Sequence, residues 1–203
     1  MRVTVFDYGA GNLHSLVKAL AEPGVDVTIE VDPVRATQTD VLVLPGVGAF
    51  GAAAERLAPG RAAMRDAILG GLPVVGICLG MQLLFEASEE GAGAGLGVMA
   101  GHVGRLQASR VPHIGWNTVE VSGAGGIAAS LPTTVYYANS FVCRPVNESV
   151  VAAWTTHEAD RFPAVVQAGT AVGIQFHPEK SSTPGVRFLR DLLASAPTWR
   201  KSS

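Results

Sequence analysis

An α/β fold is expected, built on a central, mostly parallel twisted sheet flanked by helices, with an additional strand-rich part. Three observations predict it. Short apolar runs alternate with helically spaced segments through the first 85 or so residues. Glycine-rich loops follow two of those runs directly. From Val98 onward the pattern changes to short strands separated by turns, with no obvious helix before His177. The 203 residues are 48% hydrophobic and 16% charged, ample for burial and consistent with one domain spanning 1–203.

Residues 3–6 form a first, β-rich run that ends in Asp7-Tyr8-Gly9-Ala10-Gly11-Asn12. Residues 13–21 then carry Leu13, Leu16, Val17 and Leu20 at helical spacing. A glycine loop after a first strand invites a dinucleotide-binding reading. The six-residue glycine pattern is incomplete, however, and no acid closes a second strand in the required place. Residues 25–31 alternate as a second strand, and residues 40–44 form a third, strongly apolar one. Pro45-Gly46-Val47-Gly48-Ala49-Phe50-Gly51 follows at once. It is either an ordinary glycine turn or a set of freely rotating amides at the carboxyl edge of the sheet, where ligands bind in open α/β folds. Residues 52–57 and 61–69 are helical pieces.

The next unit carries the chemistry. Residues 73–77 are a short buried strand, and apolar side chains recur afterwards at Leu79, Leu83 and Leu84. Cys78 stands where that strand turns into a helix, with Gly76 and Gly80 two residues away on each side. Such a tight strand–turn–helix projects its central side chain out of the turn, which is nucleophile-elbow logic built around cysteine. A thiol at a helix N-terminus faces positive partial charge, which favours the nucleophilic thiolate. The backbone N–H of Leu79 points into the same space. A buried cysteine filling the core of a βα unit is the alternative on this stretch alone.

Later strands are expected at residues 102–106, 116–121, 133–137, 150–155, 164–167 and 172–176. Residues 185–195 form a last helix on Val186, Phe188, Leu189, Leu192 and Leu193, and 196–203 read as a frayed polar tail. His177 follows a buried-looking strand, as Cys78 does. Pro178 holds it extended, and Glu179 is close enough to accept from the far imidazole nitrogen. Cys…His-x-Glu is thus a candidate nucleophile–base–orienter chain. His14, His102, His113 and His157 have no comparable setting. No His/Cys/Asp cluster has ligand spacing, so neither a metal nor another cofactor is expected.

A net charge of −2 gives no electrostatic footprint for nucleic acid or an anionic membrane. Two distant cysteines, Cys78 and Cys143, do not make a disulfide framework. The N-terminus lacks a secretory pattern, and no segment approaches the length of a membrane span, so a soluble cytoplasmic protein is expected.

Gly76-Ile77-Cys78-Leu79-Gly80-Met81-Gln82, Pro45-Gly46-Val47-Gly48 and His177-Pro178-Glu179 together resemble the class I glutamine amidotransferases. Asp7 to Leu13, Pro112-His113-Ile114-Gly115-Trp116-Asn117 and Gln175 to Ser181 narrow the resemblance to the glutaminase subunits of imidazole glycerol phosphate synthases. It spans Asp7 to Ser181. The resemblance implies the class I amidotransferase fold and a Cys78–His177–Glu179 triad that hydrolyses glutamine to glutamate and ammonia. It also implies an oxyanion hole from Leu79 and the Val47-Gly48 loop. Substrate contacts are implied for Gly46, Gln82, Glu90, Ser140 and Phe141. Gln82 lies one helical turn beyond Cys78 and Glu90 two turns beyond that, where Glu90 suits the substrate α-ammonium or is simply a solvated acid. The implied partner is a cyclase on a separate chain, with the (β/α)₈ barrel fold, in a heterodimer that takes the ammonia. The residues implied to face it are Tyr8, Asn12, Trp116, Tyr136 and Lys180. One departure stands out. The family's Val-His-Ser-Tyr is Ala138-Asn139-Ser140-Phe141 here, so the strand is left to hold glutamine through its backbone. A glutaminase serving a different synthase would keep the triad and change the glycine loop, and a binding-only relative would be expected to lose Cys78 or His177.

Overall fold

The structure is a computed structural model that describes residues 1–9, 13–122 and 126–199. The first half lays down β1 (Arg2–Phe6), α1 (His14–Leu20), β2 (Asp26–Glu30), β3 (Val41–Leu44), α2 (Phe50–Leu57), α3 (Arg61–Leu69), β4 (Val74–Ile77) and α4 (Leu79–Leu83). The second half adds β5 (Ala87–Ser88), β6 (Gly101–Arg105), β7 (His113–Thr118), β8 (Glu120–Val121), β9 (Thr134–Asn139) and β10 (Phe141–Pro145). It closes with β11 (Val151–His157), β12 (Asp160–Ala168), β13 (Ala171–Ile174) and α5 (Ser182–Trp199).

Among the described residues the main sheet runs β2-β1-β3-β4-β13-β12-β11-β8. Its β2, β1, β3, β4 and β13 are mutually parallel, and the strands beyond are antiparallel. The late strand β13 therefore lies beside β4, with Ile174 opposite Ile77. All four residues of β3 are fully buried and divide between the two faces: Val41 and Val43 pack with α1 and α5, Leu42 and Leu44 with α2 and α3. Burial on both faces is why these strands read as unbroken apolar runs. Two smaller sheets, β10-β6-β5 and the β7-β9 pair, complete the strand-rich half.

Several expectations need correction. The helix after Cys78 stops at Leu83, because the returning segment 96–99 satisfies its last carbonyls: the Leu84 carbonyl accepts from the N–H groups of Val98 and Met99, at 2.9 and 3.0 Å. Glu90 therefore lies in a turn and not two helical turns beyond Gln82. The last helix runs to Trp199 and buries Ala196 and Trp199, so residues 196–199 are no frayed tail. Residues 200–203 lie outside the described residues. Strand β12 begins at Asp160 and runs through Pro163. Pairing with β13 starts only at Val165, and Pro163 pairs with Trp154 beside a register shift in the β11 ladder, an irregular place where a missing N–H is tolerated. Strand β10 has no counterpart among the expected strands.

Candidate active site

Cys78 takes φ 47° and ψ −103°, a conformation that non-glycine residues rarely adopt. Its N–H donates to the Ile174 carbonyl at 2.6 Å, and its own carbonyl accepts from the Gln82 N–H at 3.0 Å. The flanking glycines make this turn feasible. A Cβ on Gly80 would collide with the Leu44 carbonyl, and one on Gly76 with the backbone of Gly80. The elbow is thus packed so closely, on β3 at Gly80 and on the start of α4 at Gly76, that only hydrogen fits at either position. Leu79 opens α4, so its N–H belongs to the first-turn donors that a helix leaves without an internal acceptor.

Because β13 is the parallel neighbour of β4, the chain beyond it delivers His177 to the same edge of the sheet. Its backbone is held from several sides. The N–H donates to the Tyr136 carbonyl at 2.9 Å, and the carbonyl accepts from the Ser181 hydroxyl at 2.7 Å and the Lys180 N–H at 3.1 Å. Nδ1 donates to Oε1 of Glu179 at 2.8 Å, since a carboxylate only accepts, and this leaves Nε2 for the sulfur of Cys78. The side chains of His177 and Glu179 are 3% and 8% exposed, which makes this a buried pair. Burial opposes charge on the imidazole. Hydrogen bonds with Cys78 and Glu179, and the negative charge of those two groups, outweigh it and push His177 up to about 10. The imidazole is thus placed between a sulfur and a carboxylate, a setting that favours its protonated form.

The glycine loop closes the site. A Cβ on Gly46 would stand 2.9 Å from Cε1 of His177 and 3.1 Å from Cβ of Cys78. Gly48 sits at φ 110°, which only glycine adopts freely. Glu90 reaches the loop from the other side, its Oε2 accepting from the Phe50 N–H at 2.8 Å at the start of α2. Gln82 is buried, and its amide donates to the Phe141 carbonyl at 3.2 Å. Asn139, the residue that departs from the family pattern, donates to that same carbonyl at 3.2 Å. The Ser140 carbonyl accepts from the Leu106 N–H at 2.9 Å. The carbonyls of Ser140, between β9 and β10, and of Phe141 are thus both engaged within the protein.

Expectations for the partner side divide. Trp116 is 53% exposed and meets Tyr136 edge to face, with ring centroids 6.1 Å apart, and Lys180 is exposed. Tyr8, by contrast, is 3% exposed, and its hydroxyl donates to the Pro45 carbonyl at 2.9 Å, so its side chain braces the glycine loop from within. Asn12 lies outside the described residues. Gln175, to which the sequence assigns no role, is fully buried and directs Nε2 at Sγ of Cys78, 3.6 Å away. Its sequence signals are its place two residues before His177 and at the head of the Gln175 to Ser181 motif, neither of which points to Cys78. Among the described residues no His/Cys/Asp/Glu group is arranged to hold a metal ion. No helix among them is long and apolar enough to cross a membrane.

A cysteine elbow, an imidazole fixed by a carboxylate and a glycine loop against both form an arrangement chemically suited to acyl transfer through sulfur. The glutamine amidotransferase class-I family matches residues 4–196. Solved structures agree on the fold: one described as a glutamine amidotransferase superposes with a TM-score of 0.73 at 22% identity, covering 96% of this chain and 98% of that one. Another, from the structure of PurLQS of Thermotoga maritima, gives 0.69 at 17% identity, covering 95% and 97%. Among curated relatives, the imidazole glycerol phosphate synthase subunit HisH of Nostoc punctiforme is 40% identical over 95% of both chains. HisH of Moorella thermoacetica is 42% identical over 93% of this chain and 92% of its own. The chain belongs to the class I glutamine amidotransferases, and within them to the family of imidazole glycerol phosphate synthase subunit HisH.

Proposed function

We propose that this chain is the glutaminase subunit of an imidazole glycerol phosphate synthase, acting in histidine biosynthesis through a Cys78–His177–Glu179 triad. The observation that carries the residue assignment is the His177 ring, hydrogen-bonded to Glu179 through Nδ1 and raised in pKa by its interactions with Cys78 and Glu179. The Cys78 thiolate attacks the side-chain amide carbon of glutamine, and the carbonyl electron pair moves to oxygen. Imidazolium at His177 gives its proton to the departing nitrogen, the C–N bond breaks, and ammonia leaves a thioester. His177 then takes a proton from water, which attacks the thioester and releases glutamate and the thiolate. Glu179 keeps the imidazole in the required tautomer and stabilises its cation.

The Leu79 N–H and an amide of the Val47-Gly48 loop serve the oxyanion, a contribution of about a hundredfold to a thousandfold per donor. With the Ser140 and Phe141 carbonyls engaged internally, that strand offers the substrate its remaining backbone groups. Gln82 acts by holding Phe141, Gly46 by letting the substrate approach the sulfur. The free oxygen of Glu90 is the acceptor for the α-ammonium. Ammonia passes to a cyclase on a separate chain, read as a (β/α)₈ barrel that forms a heterodimer with this one in the cytoplasm. Trp116, Ile114 and Lys180, exposed beside the His177 loop, are the surface it docks on.

The test is Cys78→Ala, which abolishes ammonia release from glutamine, together with an electrophilic glutamine analogue that labels Cys78 and spares Cys143. Cys143 is fully buried, and burial, reinforced by the charge of Cys78, pushes its thiol well above its ordinary value. Equal labelling of both thiols, or an active Cys78→Ala protein, overturns the triad.

A further inference from the structure

We propose that Gln175 is a catalytic residue of the glutaminase reaction, its side-chain amide donating to the sulfur of Cys78 and holding negative charge there whenever the thiolate is free. The inference rests on the reading of Cys78 as nucleophile. It comes from the sheet. Ile77 and Ile174 are paired in register on parallel neighbours, so Cys78 and Gln175 are the next residues on two adjacent strands as both leave the sheet. The two backbones are joined there by the bond from the Cys78 N–H to the Ile174 carbonyl, and the Gln175 N–H donates to the Ala164 carbonyl at 2.9 Å. From this anchored position Nε2 of Gln175 reaches Sγ of Cys78 at 3.6 Å, within hydrogen-bonding range for sulfur.

The residue type is otherwise hard to justify. Gln175 is fully buried, and its Oε1 is buried without a hydrogen-bond partner among the described residues. Leaving a buried carbonyl unsatisfied lowers stability, and an apolar side chain of the same size fills the space without that cost. What only the amide supplies is an N–H aimed at the sulfur.

The reaction needs such a donor because His177 has one proton to give. In the first half that proton goes to the departing nitrogen. In the second, the sulfur–carbon bond breaks and the electron pair returns to Cys78 while His177 has just taken a proton from water. An amide N–H donates to the sulfur in both halves and never surrenders its hydrogen. It stabilises the thiolate before attack and as the leaving group after it.

The experiment uses Gln175→Met, which keeps length and removes the donor, in the chain paired with its synthase. Steady-state glutamine hydrolysis is measured together with the rate at which iodoacetamide alkylates Cys78 between pH 6 and 9. Expected results are a fall of about tenfold or more in kcat with KM unchanged, and a similar fall in alkylation at pH 7. The melting temperature stays level or rises, since an orphaned carbonyl has been removed. Wild-type kcat and wild-type alkylation in the folded variant overturn the proposal, as does a lowered melting temperature with unchanged alkylation. Gln175→Leu gives the same readout should the methionine variant not fold. His177→Asn is run alongside. If it slows alkylation and the Gln175 variants do not, only this inference fails; if Cys78→Ala still hydrolyses glutamine, the triad itself fails.

Discussion

Gly46 lies so close to His177 that a side-chain carbon on the glycine would stand 2.9 Å from Cε1 of the imidazole. The same carbon would stand 3.0 Å from the Ile77 carbonyl and 3.1 Å from Cβ of Cys78, so it has nowhere to go. Gly46→Ala is therefore expected to push Cys78 and His177 apart. Displacements of about 1 Å at a reacting centre cost roughly a hundredfold in rate. A fall of that order in glutamine hydrolysis, with a near-wild-type circular dichroism spectrum, is the expected outcome. Full activity in Gly46→Ala would mean that the loop is free to move away from His177.

Losing His177 and losing Glu179 are expected to differ. His177→Asn should be nearly as damaging as Cys78→Ala, because members of a triad act as a unit. Glu179→Gln keeps an acceptor for Nδ1 and removes a charge that helps hold His177 up at about 10. Activity that needs the imidazolium is lost as pH rises through that value, so in Glu179→Gln the alkaline loss should begin at lower pH. Rate profiles from about pH 6 to 10.5 check this, since they bracket the raised value and the ordinary one. Coincident alkaline limbs would assign the support of His177 to Cys78 alone.

Turnover should depend on the synthase. Gly48 at φ 110° and Gly46 on the other side of Val47 leave the intervening peptide units able to rotate at little steric cost. A donor that rotates is not aimed, so the isolated chain is expected to be slow. Docking of the synthase with its nucleotide bound should raise glutamine turnover by about a hundredfold to a thousandfold. Hydrolysis measured for the chain alone, with the synthase, and with synthase plus nucleotide decides it; a lone chain working at the full rate ends the idea of a switch.

Stability should also depend on pH through His113. This ring is 4% exposed and stacks on His157 and Tyr137, with centroids 4.1 and 4.9 Å away. Burial, and then the charge of His157, hold it down at about 4, against an ordinary value of 6.5. Its folded pKa is depressed, so the folded state keeps it neutral while the unfolded chain takes up a proton. The contribution is complete above pH 6.5 and is lost as pH falls from there toward 4. Melting temperatures across that window should drop more steeply for the wild type than for His113→Gln, and parallel curves would reject the assignment.

The elbow is legible in sequence because it is local: glycines at 76 and 80, a buried run before Cys78 and apolar spacing after it all report on one turn. His177 and Glu179 are legible for the same reason, being two residues apart. What sequence does not carry is long-range pairing. Glu90 reads as a helix position because nothing nearby reveals that the 95–99 segment takes the carbonyls a continuing helix would use. Tyr8 reads as a surface residue because its acceptor, the Pro45 carbonyl, lies 37 residues away. Strand β10 is hidden because its pattern includes Arg144 and Pro145 and its burial depends on β6, paired from residues some forty positions earlier in the chain. Gln175 stands in plain view, but its contact with Cys78 joins residues 97 apart.

That separation bears on how the chain is made. Strand β13, itself parallel to β4, is the bridge between the other parallel strands, all complete by Ile77, and the antiparallel strands. A chain emerging from the ribosome has β1 to β4 early, but the bond from the Cys78 N–H to Ile174 is missing and the β4 edge stays open until the last strand is synthesised. The slot is filled only when residues about a hundred positions away return to it, a closure of high contact order and hence slow. Until then the nascent protein exposes an apolar edge of the kind that pairs with other chains. By the same logic, Cys78 lacks its His177 neighbour while the protein is unfinished. On the proposed triad, chemical competence arrives only after the final strand, and a truncated or half-folded copy is expected to consume no glutamine.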